Sequence, residues 1–349
     1  MPRLAYHVRR MPAHEPIALE IDGRTVEISN PEKVYFPERG ETKLDLVRYV
    51  LAVSVPLLRA VGARPILMER YPDGATGKSF FQKRVPSSAP EWLRTTTVAT
   101  VNGTTSDALV AVDAAHLAWA VNLGCLGFHT WPFRYDDPDH TDEMRIDLDP
   151  MPGVSFAMVR EAAREAQALL AEAGLQAWPK TTGKRGIHLW LRLQPRFDSY
   201  QVRAAAVAFA RELERRRPDL TTAAWWKEER GSRVFLDYNQ NAPHKTVFSA
   251  WGARARPGGQ VSAPFRWDEL DDVEPDDLTI ASVPARVAAA GDPWEGIDAE
   301  PGSIETLLTW SERDLTAGLM DAPWPPVYPK MPNEPPRVAP SRAKKEQPS

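Results

Sequence analysis

Apolar and polar positions alternate first near the start of the chain. Ile17, Leu19 and Ile21 are separated by single residues, as are Val26 and Ile28, and Asp22-Gly23 lies between the two runs. That pattern predicts a β-hairpin with a tight turn. The period then lengthens. Leu44, Val47, Val50 and Leu51 recur at helical spacing behind Thr42, a candidate N-cap. Residues 154–173, rich in Ala and Glu, predict a helix closed by Gly174, and residues 199–217 predict another stopped by Pro218. Strands are predicted over residues 175–178, 187–193, 233–238 and 246–251, and a further short one over residues 144–150. The central order is strand, helix, strand, strand, helix, strand, strand. It favours an α+β sheet over a regular parallel α/β one. The glycine-rich fingerprints of dinucleotide-binding and P-loop folds are absent.

Composition bounds the class. The chain has 349 residues, 43% hydrophobic and 26% charged, as expected of a soluble globular protein of one large domain or two ordinary ones. No apolar run is long enough to span a bilayer, and the basic N-terminus has no apolar stretch behind it, so no secretory signal and no membrane partner are expected. Residues 1–16 read as a loose arm, residues 17–331 as the folded unit, and residues 332–349, rich in Pro, Lys and Glu, as a disordered tail. Cys125 is the only cysteine. That excludes an internal disulfide and any multi-cysteine zinc site, and it fits a reducing cytoplasm. The formal net charge of −4 does not announce a nucleic-acid partner. Bases nevertheless gather over residues 78–84, 180–185 and 211–217, and around Lys227, Arg230 and Arg233. A local basic groove is compatible with this; for residues 211–217 a solvated helix face is the plainer alternative.

Three segments carry candidate chemistry. Asp147 and Asp149 are two residues apart on a strand, so both carboxylates share one face. Like charges held together repel, and a hard divalent cation resolves the conflict. A strand end whose acids face water is the alternative. Residues 180–188 form a turn between strands, in which Gly183 and Gly186 would let backbone N–H groups approach a ligand while Lys184, Arg185 and His188 add donors. This suits a triphosphate; a plain basic hairpin loop also fits. Asp237 lies among strand-like apolar residues, a costly place for an unpaired acid, and is a candidate third metal ligand or a salt-bridge partner.

In this order the three segments resemble the motifs of the archaeo-eukaryotic primase superfamily. The chain is most similar to bacterial repair polymerases typified by the polymerase domain of DNA ligase D. Phe80-Phe81-Gln82-Lys83, the stretches at residues 88–93 and 234–241, and Arg254-Ala255-Arg256 share the likeness, which extends from about residue 28 to about residue 290. The resemblance implies an α+β primase-polymerase core, mixed and antiparallel sheets flanked by helices, with a smaller N-terminal lobe. It implies that Asp147, Asp149 and Asp237 hold two Mn²⁺ or Mg²⁺ ions. It implies that His129, Thr182, Lys184, Arg185, His188, Gln240, Arg254 and Arg256 surround the incoming nucleotide, with Thr182 near the ribose. Phe80 and Phe81 would stack on base pairs, Lys83 would lie on DNA, and Lys33 and Lys43 would grip a downstream 5′-phosphate. The implied activity is template-directed addition of nucleotides, ribonucleotides preferred, into gaps or at DNA ends before ligation. The partners would be gapped or broken DNA, NTP or dNTP, a separate ATP-dependent ligase of the kind that works beside stand-alone gap-filling polymerases, and an end-binding protein. The setting would be the cytoplasm, at the nucleoid. Glu69-Arg70 superficially resembles a ligase adenylation motif, but Arg70 stands where a nucleophilic lysine is needed. Two rivals remain. A two-metal nuclease or phosphatase would need neither a triphosphate cradle nor a stacking platform. A non-catalytic DNA-end scaffold would gain nothing from three clustered carboxylates.

Overall fold

The computed structural model describes residues 15–337. The expected N-terminal arm (apart from Glu15 and Pro16) and residues 338–349 of the expected tail lie outside that range. Strands β1 (Ile17–Ile21) and β2 (Arg24–Ile28) form the predicted hairpin, with Asp22 and Gly23 both at positive φ in its turn. A small ribbon follows, β3 (Val34–Phe36) with β4 (Glu41–Thr42). Helix α1 (Lys43–Ala52) starts where Thr42 predicts, through a capping box that Asp45 completes. Then come α2 (Ser54–Val61), β5 (Pro65–Arg70), β6 (Phe80–Gln82), β7 (Thr95–Ala99), β8 (Thr105–Val110), α3 (Ala114–Asn122) and β9 (Cys125–Thr130).

The second half begins with β10 (Glu143–Pro150) and α4 (Phe156–Glu172), capped by Ser155. Strands β11 (Trp178–Thr181) and β12 (Ile187–Arg192) precede α5 (Ser199–Arg216), which opens on an Asp198–Gln201 capping box. The chain continues through β13 (Thr221–Thr222), β14 (Val234–Leu236), β15 (Val247–Phe248), α6 (Val283–Ala290) and α7 (Glu305–Thr316). Three strands differ from expectation. The strand expected at 175–178 lies at β11, because Trp178 pairs with Trp190 and Thr181 with Ile187. The strand expected at 233–238 stops at Leu236, because Asp237 caps a single-turn helix over Tyr238–Asn241. The one expected at 246–251 is reduced to two residues, and Trp251 has positive φ.

Two sheets organise the fold. One has the order β15-β9-β5-β8-β7, with β6 also on β5; the other runs β11-β12-β10-β14-β13, antiparallel except for β13 with β14. This is the mixed α+β architecture expected. A contiguous cluster of buried apolar side chains takes in both sheets, from Ile21 to Ala322. Residues 332–337, which composition assigns to the tail, pack back on the body. Glu334 is buried, accepts from the backbone N–H of Trp324 and Met331, and pairs with Arg337.

A buried ion network ties the sheets together at the base of β10. Glu143 binds Arg64 from the start of β5 at 3.1 Å, Arg145 from its own strand at 2.6 Å, and Arg192 from β12. Asp142 takes Arg64 and Arg134. Burial alone would push both carboxyls up. Arg64 and the neighbouring guanidiniums outweigh it and hold them well below the carboxylate range. A depressed folded-state pKa means stability that is complete above the unfolded value of about 4 and lost as pH falls below it. Glu143→Gln should therefore cost about 3–5 kcal/mol at pH 7 and flatten the acid loss. Urea midpoints measured from pH 7 to pH 3 would check this; equal pH slopes in variant and wild type would count against it.

Candidate active site

Strand alternation sends Met144, Ile146 and Leu148 to the core and Arg145, Asp147 and Asp149 to the other face of β10. Register then builds a row of side chains across the sheet. Asp147 lies opposite His188, and His188 lies opposite Lys180. On the other flank the Asp237 N–H donates to the Asp147 carbonyl at 3.1 Å, so Asp237 continues the row. The row is bonded through its side chains. Lys180 Nζ lies 2.9 Å from His188 Nδ1, and His188 Nε2 lies 3.1 Å from Asp147 Oδ1. Gln240, in the turn after Asp237, donates to Asp237 Oδ2 at 2.8 Å and reaches Asp147 Oδ2 at 3.5 Å. Asp149 stands one step further along the same face, exposed, with Phe235 opposite.

The electrostatics are strained. Burial raises the Asp147 carboxyl to about 6 although Lys180 and Arg254 pull it down. Burial, then the charge of Asp147, raises Asp237 to about 6. The same two causes raise Asp149. Burial, reinforced by Lys180, Arg254 and Arg145, pushes the His188 imidazole well down, so it is neutral at pH 7. The donor set of three carboxylates that repel one another fits hard divalent cations in chemistry. In this conformation Gln240 and His188 occupy carboxylate oxygens. Among the described residues no group of three or more His, Cys, Asp or Glu is drawn into a metal-holding arrangement.

The glycine turn has a different logic from the one its sequence suggests. Thr182 Oγ1 accepts from the N–H groups of Lys184 (3.2 Å) and Gly186 (3.1 Å), so those donors point inward rather than at a ligand. The glycines are required by packing. A Cβ on Gly186 would meet the Leu148 carbonyl at 2.7 Å, and one on Gly183, at positive φ, would meet Arg254 Cγ at 2.7 Å. Lys184 and Arg185 are left exposed beside the carboxylates. Arg254 donates to the Thr182 carbonyl at 2.6 Å and stacks 3.4 Å from the Phe248 ring centroid, and burial lowers its guanidinium to about 10. Arg256 reaches the Gly183 carbonyl at 3.4 Å and pairs with Asp276.

The other sheet supplies the opposing wall. His129 sits edge-on between Phe81 (5.3 Å) and Phe248 (5.2 Å) and bonds Glu69 at 3.0 Å. Tyr71 donates to the second Glu69 oxygen. Burial works to raise the Glu69 carboxyl, but the His129 and Tyr71 hydrogen bonds bring it net down. Glu69, read from sequence only as part of a false ligase motif, is thus the partner of His129. Phe80 and Phe81 are 46% and 57% exposed on the edge strand β6, too open for the core packing that composition alone suggests. Lys83, just past β6, is exposed.

Lys33 and Lys43 are neighbours of Arg70 on the N-terminal side, but they differ. Lys33 is half-exposed and bonds the Pro72 carbonyl and Asp73. Lys43 is buried, with its ammonium on the carbonyls of Ser29 (2.6 Å) and Asn122 (3.1 Å). Burial, then Lys33 and Arg70, lower it to about 8. By contrast three of the four bases of residues 211–217 are taken up by acids, and Arg211 donates to the Met320 carbonyl. Arg215 and Arg216 pair with Glu212, and Arg217 with Glu161 and Glu165. They are the solvated face of a helix.

A carboxylate row beside a basic turn, faced by exposed aromatics, on two sheets of this order is an arrangement that fits a nucleotidyltransferase of the DNA-polymerase type. Residues 42–294 match the LigD primase-polymerase domain family, and the chain belongs to that family. It is 33% identical over 311 residues to the multifunctional non-homologous end joining protein LigD of Mycolicibacterium smegmatis, covering 88% of this chain and 40% of that protein. It is 31% identical over 271 residues to the bifunctional non-homologous end joining protein LigD of Bacillus subtilis, covering 77% of this chain and 43% of that one. The chain thus spans less than half the length of these relatives. Among solved structures, the polymerase domain of Mycobacterium tuberculosis ligase D in complex with DNA superposes with a TM-score of 0.74 at 32% identity, over 79% of this chain and 99% of that one.

Proposed function

We propose that this protein adds nucleotides to a DNA primer strand at short gaps or broken ends, in preparation for ligation. The observation that carries the reading is the shared face of Asp147, Asp149 and Asp237, where the charge of Asp147 raises both of the others and divalent cations would relieve the repulsion. Those cations, Mn²⁺ or Mg²⁺, would activate the primer hydroxyl and neutralise the leaving pyrophosphate. The chain's own residues do the rest. Lys184, Arg185 and Arg254 surround the space beside the carboxylates with positive charge for a triphosphate. Phe80 and Phe81 offer flat faces to base pairs without regard to base identity. The relatives named for end joining support a role in that repair, with a ligase and an end-binding protein as partners. Gap filling in excision repair uses the same chemistry on a different break. The basic turn and exposed aromatics favour this reading over a nuclease, and the strained carboxylates favour it over an inert scaffold.

Asp149→Ala should lower nucleotide addition by on the order of 10³-fold or more and leave DNA binding largely intact. Primer extension with Mn²⁺ and a binding titration at fixed salt would check this. Extension near the wild-type rate would defeat the metal assignment.

Thr182 bears on the sugar. Its oxygen accepts two backbone N–H bonds, which leaves its hydroxyl hydrogen free to donate to a ribose 2′-OH. Ribonucleotides should then be preferred, and Thr182→Ala should narrow the ribo/deoxyribo ratio while Thr182→Ser keeps it. A ratio unchanged in the Ala variant would remove Thr182 as the discriminator.

Lys33 is the testable half of the 5′-phosphate contact, because Lys43 also supports the fold through Ser29 and Asn122. A terminal phosphate carries more charge than a diester, so clustered cations favour it. Lys33→Ala should reduce the advantage of a phosphorylated over an unphosphorylated gap by about 3–10-fold. Addition on a simple primer-template should stay nearly unchanged. Retention of the full advantage would put the phosphate elsewhere.

A further inference from the structure

Lys180 is a buried amine on the site's own sheet, which burial and then the charge of Arg254 push well below the usual lysine range, and to which nucleotide addition, as proposed, gives no part. Its Nζ has two side-chain partners, His188 Nδ1 at 2.9 Å and Ser262 Oγ at 2.7 Å, and it lies 5.0 Å from the centroid of the Trp190 ring. The direction of each bond follows from its neighbours. Ser262 Oγ donates its one hydrogen to the Thr181 carbonyl at 2.8 Å, so toward Lys180 it can only accept. At the other end, His188 Nε2 faces the Asp147 carboxylate, an acceptor, so that nitrogen carries the hydrogen. Nδ1 is then a bare lone pair and accepts from Lys180. No carboxylate bonds Lys180 directly among the described residues; its amine is held by these neutral acceptors and the Trp190 face.

We propose that Lys180 is a positioning residue that locks His188 as its Nε2–H tautomer, so that the ring presents a donor, never a lone pair, to Asp147 and to an arriving triphosphate. A His188 free to exchange tautomers would spend part of its time with Nε2 bare. In that form it would repel the Asp147 oxygen and the phosphate oxygens and could itself coordinate a cation. The lock costs little rearrangement, because Trp190, Ser262 and the β11–β12 register already hold Lys180 in place. The inference concerns the neighbour of a residue around the triphosphate and rests on the polymerase reading only for its kinetic consequence.

The test uses the full chain labelled with ¹⁵N-histidine, free of metal and nucleotide. Long-range ¹H–¹⁵N correlation at neutral pH reads both ring nitrogens, with His188→Gln identifying its signals. Wild type should give one bare and one protonated nitrogen, with Nε2 protonated. Lys180→Gln keeps an N–H donor and should keep that pattern. Lys180→Met keeps bulk without a donor and should give a mixture or the Nδ1–H form. In primer extension Lys180→Met should raise the nucleotide KM by about tenfold with a smaller change in kcat, and Lys180→Gln should restore most of the loss. A wild-type His188 protonated at Nδ1, or a Lys180→Met spectrum identical to wild type, overturns the proposal. Should Lys180→Met not fold, the wild-type and Lys180→Gln spectra decide alone. A wild-type chain that shows the tautomer but extends no primer would instead overturn the polymerase reading and leave the lock standing.

Discussion

Everything at the site depends on one buried carboxylate, Glu143. It stands at the first residue of β10 and is shared by arginines from both sheets and from its own strand. A charge so buried is tolerable only because every partner is present; removal of one would leave the others uncompensated. The bonds to Arg64 and Arg192 fix where β10 lies relative to β5 and β12. Once β10 is fixed, its alternation and register decide what lies beside Asp147. A slip of one residue would send Asp147 and Asp149 into the packing of α4 and α5 and bring Ile146 and Leu148 to the open face. The network is thus remote from the chemistry but sets its geometry.

The face opposite the core carries two kinds of charge for one purpose. Under the proposed reading the carboxylates would hold cations, and Lys184, Arg185 and Arg254 would attract phosphates. They coexist because they are arranged in order rather than mixed. Along the row the sequence is lysine amine, imidazole, carboxyl, carboxyl. His188 separates the buried lysine from the buried carboxyls and conducts hydrogen bonding between them without adding charge.

Local signals make much of this legible in the amino-acid sequence. The hairpin at residues 17–28, the Thr42 cap, α4 and α5 depend on neighbours within a turn of chain, and all lie where the pattern requires. The face shared by Asp147 and Asp149 follows from alternation alone. Between residues 52 and 143 the pattern says little. There β5 and β9 are nearly continuous buried runs, which periodicity cannot tell from a helix, and they pair over long separations. Three side chains are illegible for a related reason. Lys180 reads as part of a basic turn, yet β11 begins early enough to bury it. Glu69 gains its meaning only from His129, sixty residues away. Lys43 reads, by the resemblance, as a grip for a 5′-phosphate, but the first turn of α1 presses it onto the carbonyls of Ser29 and Asn122.

The net charge of −4 is the last apparent obstacle to a DNA-handling enzyme, and it resolves by location. Long-range attraction follows net charge only when charges are spread evenly; at physiological salt, fields from distant exposed groups die within about 8 Å. Arg215, Arg216 and Arg217 are cancelled by adjacent acids, so they contribute little at a distance. The cations near the site are different. Arg254 is half-buried against Phe248, and Lys180 is sealed beneath Trp190, where water screens charge least. Their influence is strong over a few ångströms and negligible beyond. Such a protein would gain little from generic attraction to a duplex. Its discrimination would come from features found only at a break: a terminal phosphate, an unpaired template base and an incoming triphosphate.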